Sequence, residues 1–531
     1  MLNPQFILCL AAELIVDLFA GGGGMSTGIE RGIGRHADYA INHNANALSQ
    51  HQVNHPQTKH LIADVREINP RHVAEGRPVG LLHLSPDCTH HSQAKGGQPR
   101  DAKMRALSWV GVHWAGTVRP RIITLENVKQ IQQWGPLIAK RCPLTKRVVK
   151  IDGTVGALGE HVPLQQQFLV PDPKRAGQTW RRFVAILRGM GYDVDARVLR
   201  ASDFDTPTTR ARLFMVARCD GVPITWATPT HHQAPARGQQ AWRPALDAID
   251  LSIPSKSIFD RPKPLVDATL TRIAHGLVKH VLASGDPCII PITHKGRPGR
   301  THDIRLPMPT ITTSKGGELA LVATTLVQMG YGERPGQAPR ALDLRKPLGT
   351  VVAGGLKHGL VTGTMVQVNG GFNATPAHDL RAPLSTVTKS GSQQQLATAL
   401  LAEPDLSPEQ EAGALRCAAF LMRYHGTGGQ WSDLREPMTT VTTRDRIALV
   451  TVWIQGDPWV IVDIQLRMLT PRELYNANGF PPDYIIDRGH DGRRFSKSQQ
   501  VRMVGNSVPP TLAEAFISEI WHARVPERMA A

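Results

Sequence analysis

Apolar residues in the first part of the chain fall in short continuous runs separated by helical patterns. Leu14-Ile15-Val16-Asp17-Leu18-Phe19 predicts a strand buried on both faces, ended by glycines and followed by a helix from about Ser26. Tyr39–Asn42 predicts a second strand, leading into a helix that contains Ala47 and Leu48. Leu61–Asp64 closes a third strand, Val79–Leu84 forms a fourth, and Arg121–Asn127 a fifth. Trp180–Met190 reads as an amphipathic helix stopped at Gly191, with strands after it at Val194–Leu199 and Leu213–Ala217. This alternation predicts an α/β, doubly wound, mostly parallel sheet with ligands at the strand carboxyl ends. Asp17, Asn42, Asp64, Ser85–Cys88 and Glu126 fall at those ends. Residues 140–178 lack periodicity and carry several Lys and Arg, which predicts a basic surface loop.

The pattern then changes. Asp303-Ile304-Arg305-x-Pro307-x-x-Thr310 recurs at Asp343–Thr350, Asp379–Thr386 and Asp433–Thr440. The arginines Arg305, Arg345, Arg381 and Arg435 are spaced by 40, 36 and 54 residues. A repeated unit with Thr/Val strands predicts a β-rich second domain over 225–455. Identical Asp and Arg in each unit suit an internal ion pair or turn cap, so the variable turns around them are the better candidates for contact with a partner. Residues 1–224 and 456–531 then form the two parts of the first domain. In the latter, Thr470-Pro471-Arg472-Glu473 has the form of a helix start with a capping box. Gly505–Pro510 precedes a C-terminal helix containing Leu512, Ala515, Phe516 and Ile520.

Composition narrows the partners. The 531 residues are 41% hydrophobic and 20% charged, which fits a globular protein with more than one domain. A net charge of +17 favours a polyanion. Six cysteines with no Cys-x-x-Cys pair exclude a disulfide framework and fit a reducing, cytoplasmic setting. The apolar stretch Phe6–Ala12 is too short to span a bilayer, so no membrane association is expected.

The chemistry centres on two features. Asp17-Leu18-Phe19-Ala20-Gly21-Gly22-Gly23-Gly24 is a strand-to-helix turn where a cofactor can approach the backbone closely. About sixty residues later, Ser85-Pro86-Asp87-Cys88 places a thiol at the end of the fourth strand. His90, His91 and Cys88 lack the separated ligand pairs of a zinc site, so no metal is expected there. Glu126-Asn127-Val128, Arg210-x-Arg212, the Arg472-Glu473 helix and Gly505-Asn506-Ser507-Val508 complete an ordered series. In that order the motifs resemble those of the DNA cytosine-5 methyltransferases of bacteria and phages, over about 1–218 and 465–525.

The resemblance implies a Rossmann-like methyltransferase fold with a variable target recognition domain, and double-stranded DNA as the partner. It implies transfer of a methyl group from S-adenosyl-L-methionine to cytosine C5 on a flipped-out base. Cys88 would be the nucleophile at C6. Glu126 would hold N3 and the exocyclic amine, Arg212 would lie beside the base, and Arg210 on substrate backbone or near Cys88. Asp17, Phe19, Ala20, Gly21, Gly23, Asn42, Asp64, Val65, Pro86, Asn506 and Val508 would form the donor site, with Asp64 on the adenine amine. Ser92, Gln93 and Lys95-Gly96-Gly97 would form a loop closing over the base. No obligate protein partner is implied, and a monomer is expected, with or without a companion restriction enzyme. The chain departs from the family at Ser85 and Asp87, where Pro-Pro-Cys is usual, at Asn42, where an acid is usual, and at Thr209, where Gln is usual. Asp87 opposes thiolate formation. Two other readings share these residues: an RNA cytosine-5 methyltransferase and a DNA-binding protein without activity.

Overall fold

The structure is a computed structural model, and it describes residues 13–88, 90–91, 99–265, 267–277, 288–291, 301–311, 319–328, 360–367, 377–379, 394–401, 408–425, 451–454 and 457–523. Phe6–Ala12, the loop at Ser92–Gly97 and most of the second, third and fourth repeat units lie outside them. Two compact units emerge. Unit 1 comprises 1–253, 304–319 and 468–531, and unit 2 comprises 254–303 and 320–467. Residues 225–253, assigned by sequence to the second domain, thus belong with unit 1.

Unit 1 is built on seven strands: β1 (Leu14–Leu18), β2 (Tyr39–Asn42), β3 (Lys59–Ile62), β4 (Val79–Leu84), β5 (Ile122–Asn127), β8 (Asp193–Arg200) and β9 (Ala211–Arg218). Strands β6 (Leu137–Ala139) and β7 (Leu169–Pro171) pair apart from it. The sheet order is β3-β2-β1-β4-β5-β9-β8. Strands β1 to β5 pair in parallel, whereas β9 is antiparallel to both β5 and β8. The order reverses at β1, because the chain leaves β3 at one edge and returns on the far side of β1. That crevice is where open α/β sheets bind ligands.

Helices cover both faces, which is why the central strands are largely apolar. On one face α1 (Gly24–Ile33) and α7 (Pro510–His522) pack Met25, Ile29, Phe516 and Ile517 against Ile15, Leu81 and Phe214. On the other, α3 (Trp109–Val118) and α4 (Gln178–Gly189) bring Trp114, Phe183 and Leu187 against Val16, Leu82 and Ile123. Gly28 permits the α1–α7 crossing: a Cβ there would lie 2.3 Å from that of Ala513. The C-terminal segment therefore completes the first domain. Helix α2 (Ala45–Asn54) follows β2, and α5 (Pro471–Ala477) and α6 (Lys497–Asn506) precede α7. Thr470 and Glu473 form the expected capping box.

Residues 140–178 are more ordered than their sequence predicts. Strands β6 and β7 are antiparallel, and bridges join Arg141 to Val148 and Lys150 to Gln167. Their apolar runs are only two or three residues long, too short to register as periodicity. In unit 2, the strands Lys256–Ser257, Asp457–Met468, Leu319–Gln328, Cys288–Pro291 and His302–Asp303 make one sheet. Ala377–Asp379, Leu360–Gln367 and Gln394–Leu401 make another, and two helices, Asp267–Gly276 and Pro408–His425, accompany them.

Candidate active site

The turn after β1 is shaped by its backbone. Phe19 and Gly23 take positive φ values of 61° and 96°. A side chain at Gly23 would be strained by that conformation and would strike the Tyr484 hydroxyl. Ala20 N donates to the Ile41 carbonyl at 3.1 Å, fixing the turn to the end of β2. At Gly21 a Cβ would meet nothing within 4 Å, so the turn faces open space there.

Two expected donor-site residues brace this turn from behind. Asp17 is buried, and its Oδ2 accepts from Ser26 Oγ at 2.8 Å, inside the fold and away from the open side of the turn. Asn42 Nδ2 donates to the Ala20 carbonyl at 2.8 Å, and its Oδ1 accepts from Asn44 N at 2.9 Å. Asp17 Oδ1 is left without a hydrogen-bond partner. Asn in place of an acid makes sense here, because an amide donates to the carbonyl while accepting the N–H, whereas an ionised carboxylate only accepts. Val65, Pro86 and Val508 are buried, and Asn506 is exposed at the end of α6. Asp64 lies beyond the end of β3, where its carboxylate accepts from Arg66 N and pairs with the Arg66 guanidinium. Those bonds hold its pKa down to about 2, leaving an ionised acceptor near the sheet edge.

Burial pushes the Asp17 carboxyl up to about 7, against the opposing bond from Ser26. Its folded pKa exceeds the unfolded value of about 3.9, so its contribution to stability is full below pH 4 and lost as pH rises through 7. Asp17→Asn keeps an acceptor for Ser26 and cannot ionise. At pH 8 the variant should gain up to about 4 kcal/mol relative to the parent, with little difference at pH 4. Urea unfolding at the two pH values measures this; the same offset at both would contradict it.

The reactive group lies one strand over. Cys88 follows β4 through Ser85-Pro86-Asp87, and Asn127 Nδ2 donates to the Pro86 carbonyl at 2.9 Å, tying that segment to the end of β5. His91 N donates to the Cys88 carbonyl at 2.9 Å, so the chain turns directly after the thiol. Arg212 Nε lies 3.2 Å from Glu126 Oε1, an ion pair between β9 and β5 with both side chains largely buried. Burial raises the Cys88 pKa, and Arg212 and Arg210 pull against that rise while Glu126 and Asp87 add to it. The thiol, carboxylate and guanidinium thus share one electrostatic neighbourhood at the carboxyl ends of β4 and β5.

Arg210 lies within electrostatic range of Cys88. It is buried just before β9, and its Nη1 donates to the Gly505 carbonyl at 2.9 Å. Its Nε has no hydrogen-bond partner, and its charge reaches Cys88. Two residues were missed by sequence reasoning. His83 is buried in β4, with Nδ1 2.8 Å from Thr124 Oγ1 and Nε2 2.6 Å from Ser85 Oγ, and burial lowers its pKa to about 3. Asn127, noted only as part of a motif, anchors Pro86. The signal for His83 was a lone imidazole in an otherwise apolar strand.

The model of the C-5 cytosine-specific DNA methylase family matches residues 14–134, 171–248 and 388–522. The chain belongs to this family. Relatives include Type II methyltransferase M1.HphI of Haemophilus parahaemolyticus, 24% identical over 43% of this chain and 52% of that protein. Type II methyltransferase M.AgeI of Thalassovita gelatinovora is 25% identical over 41% of this chain and 42% of its own length. The chain therefore spans about half the length of these curated relatives. Residues 135–170 of the chain fall between the matched blocks. They contain the β6–β7 excursion, and the carbonyl of Leu169 accepts from Arg100 N at 2.9 Å, beyond the Cys88 loop. Among the described residues no helix is long and apolar enough to cross a membrane.

Proposed function

We propose that the chain methylates carbon 5 of cytosine in duplex DNA, using Cys88 as nucleophile. The grouping of Cys88 with the Glu126–Arg212 ion pair supports this reading above all. Cytosine C5 is a poor nucleophile at neutral pH. Addition of the Cys88 thiolate forms an Sγ–C6 bond and pushes a ring electron pair toward C5. Glu126 accepts from the exocyclic amine and gives N3 a proton as charge builds on the ring, and Arg212 holds Glu126. After C5 is alkylated its proton leaves to water or another base, the Sγ–C6 bond breaks, and the thiolate returns.

The residues present fit S-adenosyl-L-methionine. Phe19, Ala20 and Gly21 would supply the backbone cradle, where Gly21 faces open space, with Gly23 setting its shape. Asp64 offers an ionised acceptor for the adenine amine, and Val65, Pro86 and Val508 supply apolar walls. When bound, this donor provides an electrophilic methyl group. Asp17 and Asn42 support the cradle rather than line it. The target base reaches Cys88 only after leaving the stack, and unit 2 reads the surrounding sequence in the major groove. Methyl transfer from tritiated donor to duplex DNA, with 5-methylcytosine mapped in the product, tests the proposal. Label confined to RNA, or no label on either, would overturn it.

The β6–β7 excursion is a second DNA contact in this reading. Its tip, Cys142–Arg147, is a tight turn with Leu144 91% exposed at the apex and Arg141, Lys146 and Arg147 around it. Cations beside an exposed apolar tip suit a phosphate-lined groove. Changing all three cations to alanine should make the slope of log K against log salt shallower by about 2–3. Fluorescence anisotropy across a salt series measures the slope, and an unchanged value would remove the excursion from the interface.

A further inference from the structure

The geometry points to a metal site on unit 1 formed by Glu30, His36 and His55, of a kind that takes zinc. It stands apart from the Cys88 chemistry. Glu30 Oε2 lies 3.1 Å from His36 Nδ1 and 3.3 Å from His55 Nδ1, and all three ligand atoms fall within 4.8 Å of one another. Ligands about 2.0–2.1 Å from a tetrahedral zinc are separated by about 3.3–3.4 Å, close to the two short spacings here.

Hydrogen bonding decides which nitrogen of His55 is bare. Its Nε2 faces Thr27 Oγ1 at 3.2 Å and Tyr484 Oη at 3.3 Å. Each of those hydroxyls has a single proton, and each donates it elsewhere: Thr27 to the Gly23 carbonyl at 2.8 Å and Tyr484 to the Gly22 carbonyl at 2.7 Å. Both hydroxyls then face His55 as acceptors, which favours the tautomer with the hydrogen on Nε2. In the neutral imidazole the Nδ1 lone pair then points at the Glu30 carboxylate, acceptor against acceptor. His36 Nδ1 is buried against the same oxygen without an aligned hydrogen bond. A cation among the three atoms resolves both conflicts.

The surroundings have the form of a supported metal site. A ligating histidine typically donates its second N–H to a fixed acceptor, as His55 does. Two imidazoles and one carboxylate make a nitrogen–oxygen donor set suited to zinc, with a fourth position for water. Glu30 and His36 are partly exposed, so an ion can enter from solvent. The site joins α1, the loop before β2 and the end of α2. Through Thr27 and Tyr484 it also steadies the carbonyls of Gly22 and Gly23.

The test uses the full-length chain, stripped with EDTA and titrated with Zn2+ and then Co2+. The site predicts one equivalent bound by the parent and lost in His36→Ala and Glu30→Gln, both at partly exposed positions. It also predicts a cobalt spectrum without a thiolate charge-transfer band, which separates this site from the cysteines. EDTA should lower the melting temperature of the parent and leave that of His36→Ala unchanged. Equal metal uptake by parent and variants would overturn the proposal. So would histidine 15N shifts showing a doubly protonated His55 in zinc-replete protein, because an imidazolium resolves the conflict without a metal.

Discussion

Replacing Cys88 with alanine is expected to lower methyl transfer by about 10^4-fold or more while leaving DNA affinity within about twofold. The size follows from what is removed. No other described group at the carboxyl ends of β4 and β5 is a soft nucleophile placed to add to C6, so the variant must alkylate an unactivated ring. Cys88 touches no cation of the β6–β7 tip, and its side chain is small, so binding and folding should persist. Cys88→Ser tests the same point with less change of shape: an alcohol is a far weaker nucleophile than a thiol near neutral pH. Burial holds the thiol above its ordinary pKa, so the parent's rate should climb with pH through the neutral range. Single-turnover transfer and anisotropy with the same duplex measure both quantities. Activity surviving in Cys88→Ala would remove the nucleophile.

The second large effect concerns Glu126 and Arg212. Glu126→Gln should lower turnover by about 10^2–10^3-fold, because an amide cannot give N3 a proton as electron density enters the ring. Arg212→Ala should act on stability as well. The Glu126 side chain is only 8% exposed, and a buried carboxylate without its cation costs about 3–5 kcal/mol. Combining the two changes should recover most of that loss, because a neutral amide needs no opposite charge. Denaturant unfolding of the parent, both single variants and the double variant closes the cycle. Strictly additive losses would show that the pair does not interact as its 3.2 Å separation implies.

Much of this was legible in the sequence, for identifiable reasons. Strands buried on both faces leave continuous apolar runs, so β1, β2, β4 and β5 were placed nearly to the residue. The Thr470 capping box was equally readable, because its partners are three residues apart. The hydrogen bonds of Asp17 and Asn42 were not. Whether a polar side chain at a strand end faces a ligand or braces the turn depends on Ser26, Asn44 and the Ala20 carbonyl, which no local pattern specifies. The bond from Arg210 to the Gly505 carbonyl is equally hidden, since the two residues lie 295 apart in the chain. The Glu30–His36–His55 cluster has no sequence signature either: its spacings fit no metal motif, and only the packing of α2 against α1 brings His55 across. The β6–β7 pairing escaped because its strands are three residues long.

The account rests on a covalent bond between Cys88 Sγ and cytosine C6. Duplex DNA carrying 5-fluorocytosine at the target captures it, because fluorine cannot leave C5 as a proton does and the Sγ–C6 bond then persists. With active enzyme and methyl donor, mass spectrometry should find the nucleotide attached to the peptide containing Cys88, and nothing attached in Cys88→Ala. An active enzyme that yields no adduct, or one whose adduct lies on another residue, would contradict the mechanism.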